Sequence, residues 1–376
     1  MVIINMEFVE TINESELVDG TSKQISVKGK DIALFKIDNK ITALGNSCLH
    51  KGGPLSKGKI GKKYDGYYVT CPWHGWEYNV SNGKAPPGYD EQQSVYDVKI
   101  KNGKILVSNQ PIVYSANKKH HDGTLNDLIK LEYETTPGSL NILGISTTNM
   151  NHDLERDSTS DMSLNKALSY AKEKYNASTV LLKLRDLEFR NCEGYYSINE
   201  QACTWPCSIS EMDENDGMNE VYRKMILWSD IVIISTPIRW GNASSLYYKM
   251  IERLNCVQNQ TTLHDRVLVK NKVASFIITG GQDNIQHVAG NMMVFFTELG
   301  FSLPPFAFMG WSRGWNAEDM ENNVIQFSKS RYVNRAVRDL VDNDIKLLRQ
   351  VKGDPCKTVS SPQPKIMEAP SKVKTD

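Results

Sequence analysis

The chain of 376 residues has no surplus of charge, since 44 lysines and arginines balance 44 aspartates and glutamates. A neutral chain has no general attraction for nucleic acid or anionic lipid, and neither is expected as a partner. No apolar run approaches the ~20 residues that cross a bilayer. The opening "MVIINMEFVE" lacks the basic region of a secretion signal. A cytoplasmic protein is expected, with no membrane partner. Cysteine is scarce, with seven in an odd and scattered set. That argues against a disulfide framework and leaves free thiols or metal ligands. There is no G-x-G-x-x-G fingerprint of a dinucleotide fold and no internal repeat. The length suits two domains.

Residues 6–110 read as short strands broken by turns. "DIALFKIDNKITAL" alternates apolar and polar residues on both sides of an Asp-Asn turn, a hairpin signal. "YYVTCPWHGWEYNV", "QQSVYDVKI" and "KILVS" continue the pattern, so this part is expected to be all-β. Residues 111–138 are polar and mixed in charge. They read as a linker with one short helix near Leu125, its ends roughly 30 Å apart if flexible. Residues 139–353 alternate apolar strands ("LNILGIS", "STVLLKL", "DIVIISTP", "KVASFIITG", "PPFAFMG") with amphipathic helices. Strands alternating with helices imply βαβ crossovers and a doubly wound parallel sheet, here of five strands. One last long helix is expected over 323–352. Residues 354–376, rich in Pro, Ser and Lys, read as a disordered tail.

Two short stretches concentrate chemistry. "CPWHGW" at 71–76 places a thiol, an imidazole and two indoles in one turn, and "CLHKGGPL" at 48–55 adds a second thiol and imidazole. Together they give Cys48-x-His50 and Cys71-x-x-His74. An inert aromatic core and a tetrahedral zinc site are the plainer readings. Zinc boxes, however, usually draw two cysteines from one knuckle and two histidines from another. A mixed box suits two linked irons, with cysteines on one and histidines on the other.

Residues 6–110 resemble the Rieske-type ferredoxin domain. Cys48, His50, Gly52 and Leu55 meet the family pattern C-x-H-x-G-x-x-L, and the second box, C-P-W-H-G-W, is met at every position. The resemblance implies a [2Fe–2S] cluster held by Cys48, His50, Cys71 and His74. It also implies that Gly52, Gly53 and Gly75 turn backbone N–H groups toward the bridging sulfides. "GKAPPGY" resembles the proline-bearing loop that covers the cluster. Neither box has the extra cysteine of respiratory-complex Rieske proteins, so the domain resembles the soluble, low-potential branch. Neutral imidazoles raise the potential above that of an all-thiolate cluster. They are also expected to present an exposed ring N–H as an exit for an electron.

In a flavodoxin-like sheet the ligand sits at the carboxyl ends of the strands, where strand order reverses. Three loops there are rich in small and polar residues, namely "STTNMNHDLERDSTSDMS", "TPIRWGNAS" and "GGQDN". Singly each is weak, because Ser or Thr before a helix is usually a cap and Gly-Gly is usually a turn. Residues 139–310 resemble the NADPH-dependent FMN reductases and their iron–sulfur flavoprotein relatives, with "VIISTPIRWGNASSLYYKMIERL" as the best match. The resemblance implies that Ser158, Thr159 and Ser160 hold the FMN phosphate, with Ser146 nearby. It implies that Thr236, Pro237, Arg239, Trp240, Gly241 and Asn242 line the isoalloxazine, opposite Thr279, Gly280 and Gly281. The chain departs from the pattern twice. The phosphate loop carries an insertion with Asp153, Glu155 and Asp157. The compact four-cysteine run of iron–sulfur flavoproteins is reduced to Cys192, Cys203 and Cys207, with Tyr195 where a second cysteine is expected. A [4Fe–4S] cluster is therefore not expected, and Cys256 and Cys356 have no assigned partner.

The resemblances imply an oxidoreductase that passes electrons between NAD(P)H, bound FMN and the cluster to an external acceptor. The other reading is a redox sensor or electron carrier without its own NAD(P)H turnover. Reductases of this kind imply a homodimer or homotetramer. No catalytic acid or base is assigned.

Overall fold

The structure, a computed structural model, describes residues 6–115, 140–150, 158–213, 215–280, 284–312 and 317–353. The helix expected near Leu125, the tail from Asp354, the acidic residues of the phosphate-loop insertion and Gly281 lie outside the described residues.

The N-terminal part is antiparallel throughout. Its strands are β1 (Phe8–Asn13), β2 (Thr21–Val27), β3 (Lys30–Ile37), β4 (Lys40–Gly45), β5 (Lys59–Lys63), β6 (Gly66–Thr70), β7 (Glu77–Asn79), β8 (Val95–Lys101) and β9 (Lys104–Val113). Six form a sheet in the order β1-β9-β8-β4-β3-β2, and β5-β6-β7 form a smaller one. The β3–β4 hairpin turns at Asp38 and Asn39, with φ of 49° and 59°. Two successive left-handed residues make the turn whose twist matches the flanking strands, and Asp and Asn tolerate it best after Gly. The two boxes follow β4 and β6. Ala33, Phe35, Leu44, Leu55, Val69 and Tyr78 pack with Cys48 and Cys71 in one core, so both thiols are anchored in the dry part of the domain.

The C-terminal part contains β10 (Asn141–Ser146), α1 (Thr159–Tyr175), β11 (Ser178–Lys183), α2 (Ser208–Met212) and α3 (Met218–Tyr222), which runs into a π-helical turn (Arg223–Trp228). There follow β12 (Ile231–Pro237), α4 (Ser245–Arg253), α5 (Asn255–His264), β13 (Val273–Gly280), α6 (Ile285–Leu299), β14 (Phe308–Ser312), α7 (Ala317–Lys329) and α8 (Arg331–Val351). The five strands are parallel in the order β11-β10-β12-β13-β14, the flavodoxin-like arrangement. β10 and β12 are buried along their whole length. That is why they read as unbroken apolar runs rather than alternating ones. One face packs against α3, α4, α5 and α6, the other against α1 and α8. The sheet order reverses at β10, so the loops after β10 and β12 flank the crevice.

Two expectations change. The helix expected over 323–352 is two helices, broken where Ser330 leaves helical geometry. Its side chain caps α8 by accepting from the Val333 N–H at 3.3 Å, a start signal hidden inside a continuous apolar period. Helix α5 was not anticipated, because its buried side includes Asn259 and Gln260 and shows little apolar periodicity.

Candidate functional site

The two boxes are paired loops, each closed by backbone hydrogen bonds. Gly52 N–H donates to the Cys48 carbonyl and Cys48 N–H to the Gly53 carbonyl, both at 2.9 Å. In the second loop Cys71 N–H donates to the Trp76 carbonyl at 2.6 Å and Gly75 N–H to the Cys71 carbonyl at 3.1 Å. Gly52 and Gly75 take φ of +83° and +79°, a conformation glycine adopts without strain, and their own N–H groups are spent on closing the loops. Gly53 is required for a different reason. A Cβ there would lie 2.7 Å from Cys71 Sγ and 3.0 Å from the Trp73 ring. The first loop thus leaves no room for a methyl group beside the second loop's thiol.

The four expected ligands come together. His50 Nδ1 lies 3.1 Å from His74 Nδ1, and the Cys48 and Cys71 thiols are both buried, each shifting the other's titration. Two nitrogens each ~2.1 Å from one metal lie about 3 Å apart, so this spacing fits imidazoles sharing a metal. The tautomer also fits. The Ala202 carbonyl, 2.8 Å from His74 Nε2, can only accept, so Nε2 carries the proton and the Nδ1 lone pair points at His50. Burial, then the neighbouring His50, pushes His74 down to about 4, which keeps the ring neutral as a ligand must be. The neighbouring thiol pulls Cys71 down to about 7 and raises Cys48. Tyr78 lies 3.7 Å from Cys48 Sγ. Trp76 stacks on His50 at 4.1 Å and 11°. The donor types, one thiol pair and one imidazole pair, are those a two-iron cluster takes; among the described residues no three such side chains group around a single metal ion.

The histidines depart from expectation on their outer side. Their Nε2 atoms are covered by the C-terminal domain and both residues are buried. His50 Nε2 lies 2.9 Å from Glu211 Oε2 at the end of α2, and His74 donates to Ala202. Lys51, beside His50, reaches the Thr204 carbonyl at 3.2 Å, the Pro206 carbonyl at 2.8 Å and Glu211 at 3.3 Å. Burial opposes a charged Glu211, but the hydrogen bond from His50 and the Lys51 charge hold its carboxyl below the usual range. Tyr195 stands edge-on to His74 at 4.6 Å. A groove of about 660 Å³ beside His74 and Trp76, bordered by Pro86, Tyr89 and Glu211, stays open.

At the carboxyl edge of the parallel sheet three loops meet. Ser158 precedes α1 without a side-chain cap bond; its hydroxyl instead donates to Thr148 Oγ1 at 3.2 Å. Thr159 and Ser160 reach Thr279 Oγ1 at 3.1 and 2.7 Å, which ties the start of α1 to the end of β13. Ser244 Oγ donates to the Thr147 carbonyl at 2.5 Å, joining the loops after β10 and β12. Residues 239–242 form a tight turn with reciprocal Arg239–Asn242 backbone bonds of 2.7 and 2.9 Å. Trp240 projects from it, 93% exposed. Ser146 is fully buried and its hydroxyl donates to Asp161 in the first turn of α1. Lys183 and Arg185 flank that carboxylate at 3.4 and 3.3 Å, offsetting its charge at the helix N-terminus. Pro237 ends β12 and Gly280 ends β13 at the same edge. The hydroxyls and N–H groups around Ser158, Thr159 and Ser160 fit an anionic phosphate.

Sequence reasoning missed Lys51, which lies within the first box but draws its partners from the other domain, and Glu211 and the Ala202 carbonyl, which lie far from the boxes in the chain. It also left Cys256 unplaced. Cys256 lines one small cavity with Cys192, Cys203 and Cys207, beside the buried Arg253.

Residues 7–95 match the family model of the Rieske [2Fe-2S] domain, and residues 141–315 match that of NADPH-dependent FMN reductase. The N-terminal part is 28% identical over 105 residues to the ferredoxin component of the naphthalene 1,2-dioxygenase system of Pseudomonas putida, covering 28% of this chain and 97% of that one. The C-terminal part is 28% identical over 132 residues to 8-demethyl-8-aminoriboflavin-5'-phosphate synthase of Streptomyces davaonensis, covering 35% of this chain and 50% of that one. A crystal structure of RosB with bound 8-demethyl-8-formylriboflavin-5'-phosphate superposes with a TM-score of 0.46 at 21% identity, covering 63% of this chain and 100% of that one. The chain joins a Rieske [2Fe–2S] domain to an NADPH-dependent FMN reductase domain, and is an electron-transfer oxidoreductase. The first domain implies a [2Fe–2S] cluster, the second FMN and NAD(P)H. No helix among the described residues is long and apolar enough to cross a membrane.

Proposed function

We propose that the chain is an NAD(P)H-dependent flavin oxidoreductase that moves electrons between FMN on its parallel sheet and a [2Fe–2S] cluster in its Rieske domain, for delivery to an external acceptor. Cys48 and Cys71 would hold one iron, His50 and His74 the other. Ser158, Thr159 and Ser160 would hold the FMN phosphate. Thr236, Pro237, Arg239, Trp240, Gly241 and Asn242 would line one side of the ring, Thr279, Gly280 and Gly281 the other. Ser146 acts indirectly, by orienting Asp161 beneath the phosphate loop. When bound, FMN accepts hydride and releases single electrons, and the cluster carries one electron at a time.

The observation that carries this reading is the convergence of the metal box. Two Nδ1 atoms lie 3.1 Å apart, with two buried thiols supplied by the same two loops, on the same chain as a flavodoxin-like sheet. Tethering sets an effective concentration of order mM between the two domains. An additional subunit of a homodimer or homotetramer would cover Trp240 and complete the ring site. The cytoplasm, which keeps thiols reduced, is the fitting compartment.

Anaerobic stopped-flow mixing with NADPH and with NADH tests the reading. Flavin bleaching followed by cluster reduction is expected from at least one of them. A protein that carries both cofactors yet reacts with neither nicotinamide would instead be a carrier or sensor.

A further inference from the structure

An imidazole bonded to iron through Nδ1 has its Nε2 edge as the shortest way out for an electron. Here both Nε2 edges are occupied by residues 195–211 of the second domain. This segment contributes one carbonyl to His74, one carboxylate to His50, two carbonyls to Lys51 and one aromatic ring to His74. It is also where the chain departs from the iron–sulfur flavoprotein pattern, with Tyr195 at an expected cysteine. Lys51 is 8% exposed in its side chain, and Glu211 12%. A buried lysine is costly unless its charge is met, and this one is met entirely from the other domain.

We propose that residues 195–211 form a built-in receptor for the histidine face of the Rieske domain, so that the cluster exchanges electrons with this chain's own flavin domain and not with a separate redox protein. This rests on the cluster assignment above. The docked segment leaves no open histidine edge on which a protein could settle. The groove of about 660 Å³ beside His74 and Trp76 has the size of a small-molecule site, so small reductants still reach the cluster. An external acceptor is then served from the flavin, or as a small molecule in that groove.

The test uses the full chain loaded with iron and FMN, the wild type beside Lys51→Met and Lys51→Arg. The EPR signal of the reduced cluster is recorded first. Its absence from the wild type would overturn the cluster assignment rather than the docking. With the signal present, hydrogen exchange of amides 202–211 is expected to rise about 30-fold in Lys51→Met, the factor that ~2 kcal/mol represents. Amides of the parallel sheet serve as the folding control and should not change. Exchange is read on the apoprotein as well, because these contacts are made by protein groups alone. A reduced plant-type ferredoxin is expected to reduce the wild-type cluster slowly, and the Lys51→Met cluster about tenfold faster, while dithionite reduces both alike. Lys51→Arg, which keeps the charge and donors, should stay near the wild type. Unchanged exchange in Lys51→Met, or a wild-type cluster reduced by the ferredoxin as fast as the variant's, would overturn the proposal.

Discussion

Gly53→Ala inserts one methyl group between the two loops of the metal box. Its Cβ would stand 2.7 Å from Cys71 Sγ and 3.0 Å from two ring atoms of Trp73. Non-bonded carbon contacts are comfortable from ~3.5 Å, so about 1 Å of movement is needed. The backbone cannot supply it cheaply, because the Gly53 carbonyl is bonded to the Cys48 N–H at 2.9 Å. The sulfur or the indole must move. Overpacking of this kind costs about 1–3 kcal/mol, which a domain with its own sheet and core survives. A metal ligand, however, must sit within ~0.2 Å of its place. The expected result is a folded protein that has lost most of its iron, measured by iron and sulfide analysis and by EPR. Gly52→Ala is the control. Its φ of +83° makes alanine strained by about 1–2 kcal/mol, but the nearest atom to its Cβ is Ser47 Oγ at 3.5 Å, and Cys71 is not touched. Iron should be retained there. Full iron loading in Gly53→Ala, or equal loss in both variants, would refute the reasoning.

Asp344 is fully buried, accepts from Ser275 Oγ at 2.6 Å, and is pushed up by burial to about 8 from an ordinary 3.8. A raised carboxyl keeps its proton in the folded state. Its contribution to stability is therefore complete below about pH 4 and lost as pH rises toward 8. Denaturant unfolding should show wild-type stability falling by up to ~1.4 kcal/mol per pH unit between pH 5 and 7 relative to Asp344→Asn, and parallel curves would contradict this. Asp216 pairs with Arg253 at 2.9 Å, with both side chains fully buried. Asp216→Asn leaves that guanidinium uncompensated and should cost about 3–5 kcal/mol in urea unfolding followed by circular dichroism. Ser158→Ala removes a hydroxyl that caps nothing, so α1 should keep its stability. Fluorescence titration should show FMN binding about tenfold weaker, as expected for a hydrogen bond to a charged phosphate; unchanged affinity would remove Ser158 from the phosphate site.

The metal box and the parallel sheet were legible because their signals are local. Cys48 with His50, and Cys71 with His74, are spaced within single turns, and the β12 run "IVIISTP" is unbroken because both of its faces are buried. The strand hairpin at Asp38 and Asn39 was legible for the same reason. What the sequence did not disclose is long-range. Glu211 is 161 positions from His50 and Ala202 is 128 from His74, and no periodicity links them. The covered state of the histidines, expected to be open, follows from that pairing. Cys256 joined the other three cysteines through the packing of α5, a helix whose buried amides hide its amphipathic face. Gly53 was recognised as necessary, but its reason is the sulfur opposite and not its own backbone freedom.

Isotope-resolved EPR on anaerobically purified protein grown with 15N-histidine probes the metal box itself. A reduced centre with two irons per chain and two histidine nitrogen couplings is expected, lost in His74→Ala with the flavodoxin-like domain still folded. A single zinc ion in the box, or a centre with no nitrogen coupling, would contradict the assignment of two thiolates to one iron and two imidazoles to the other.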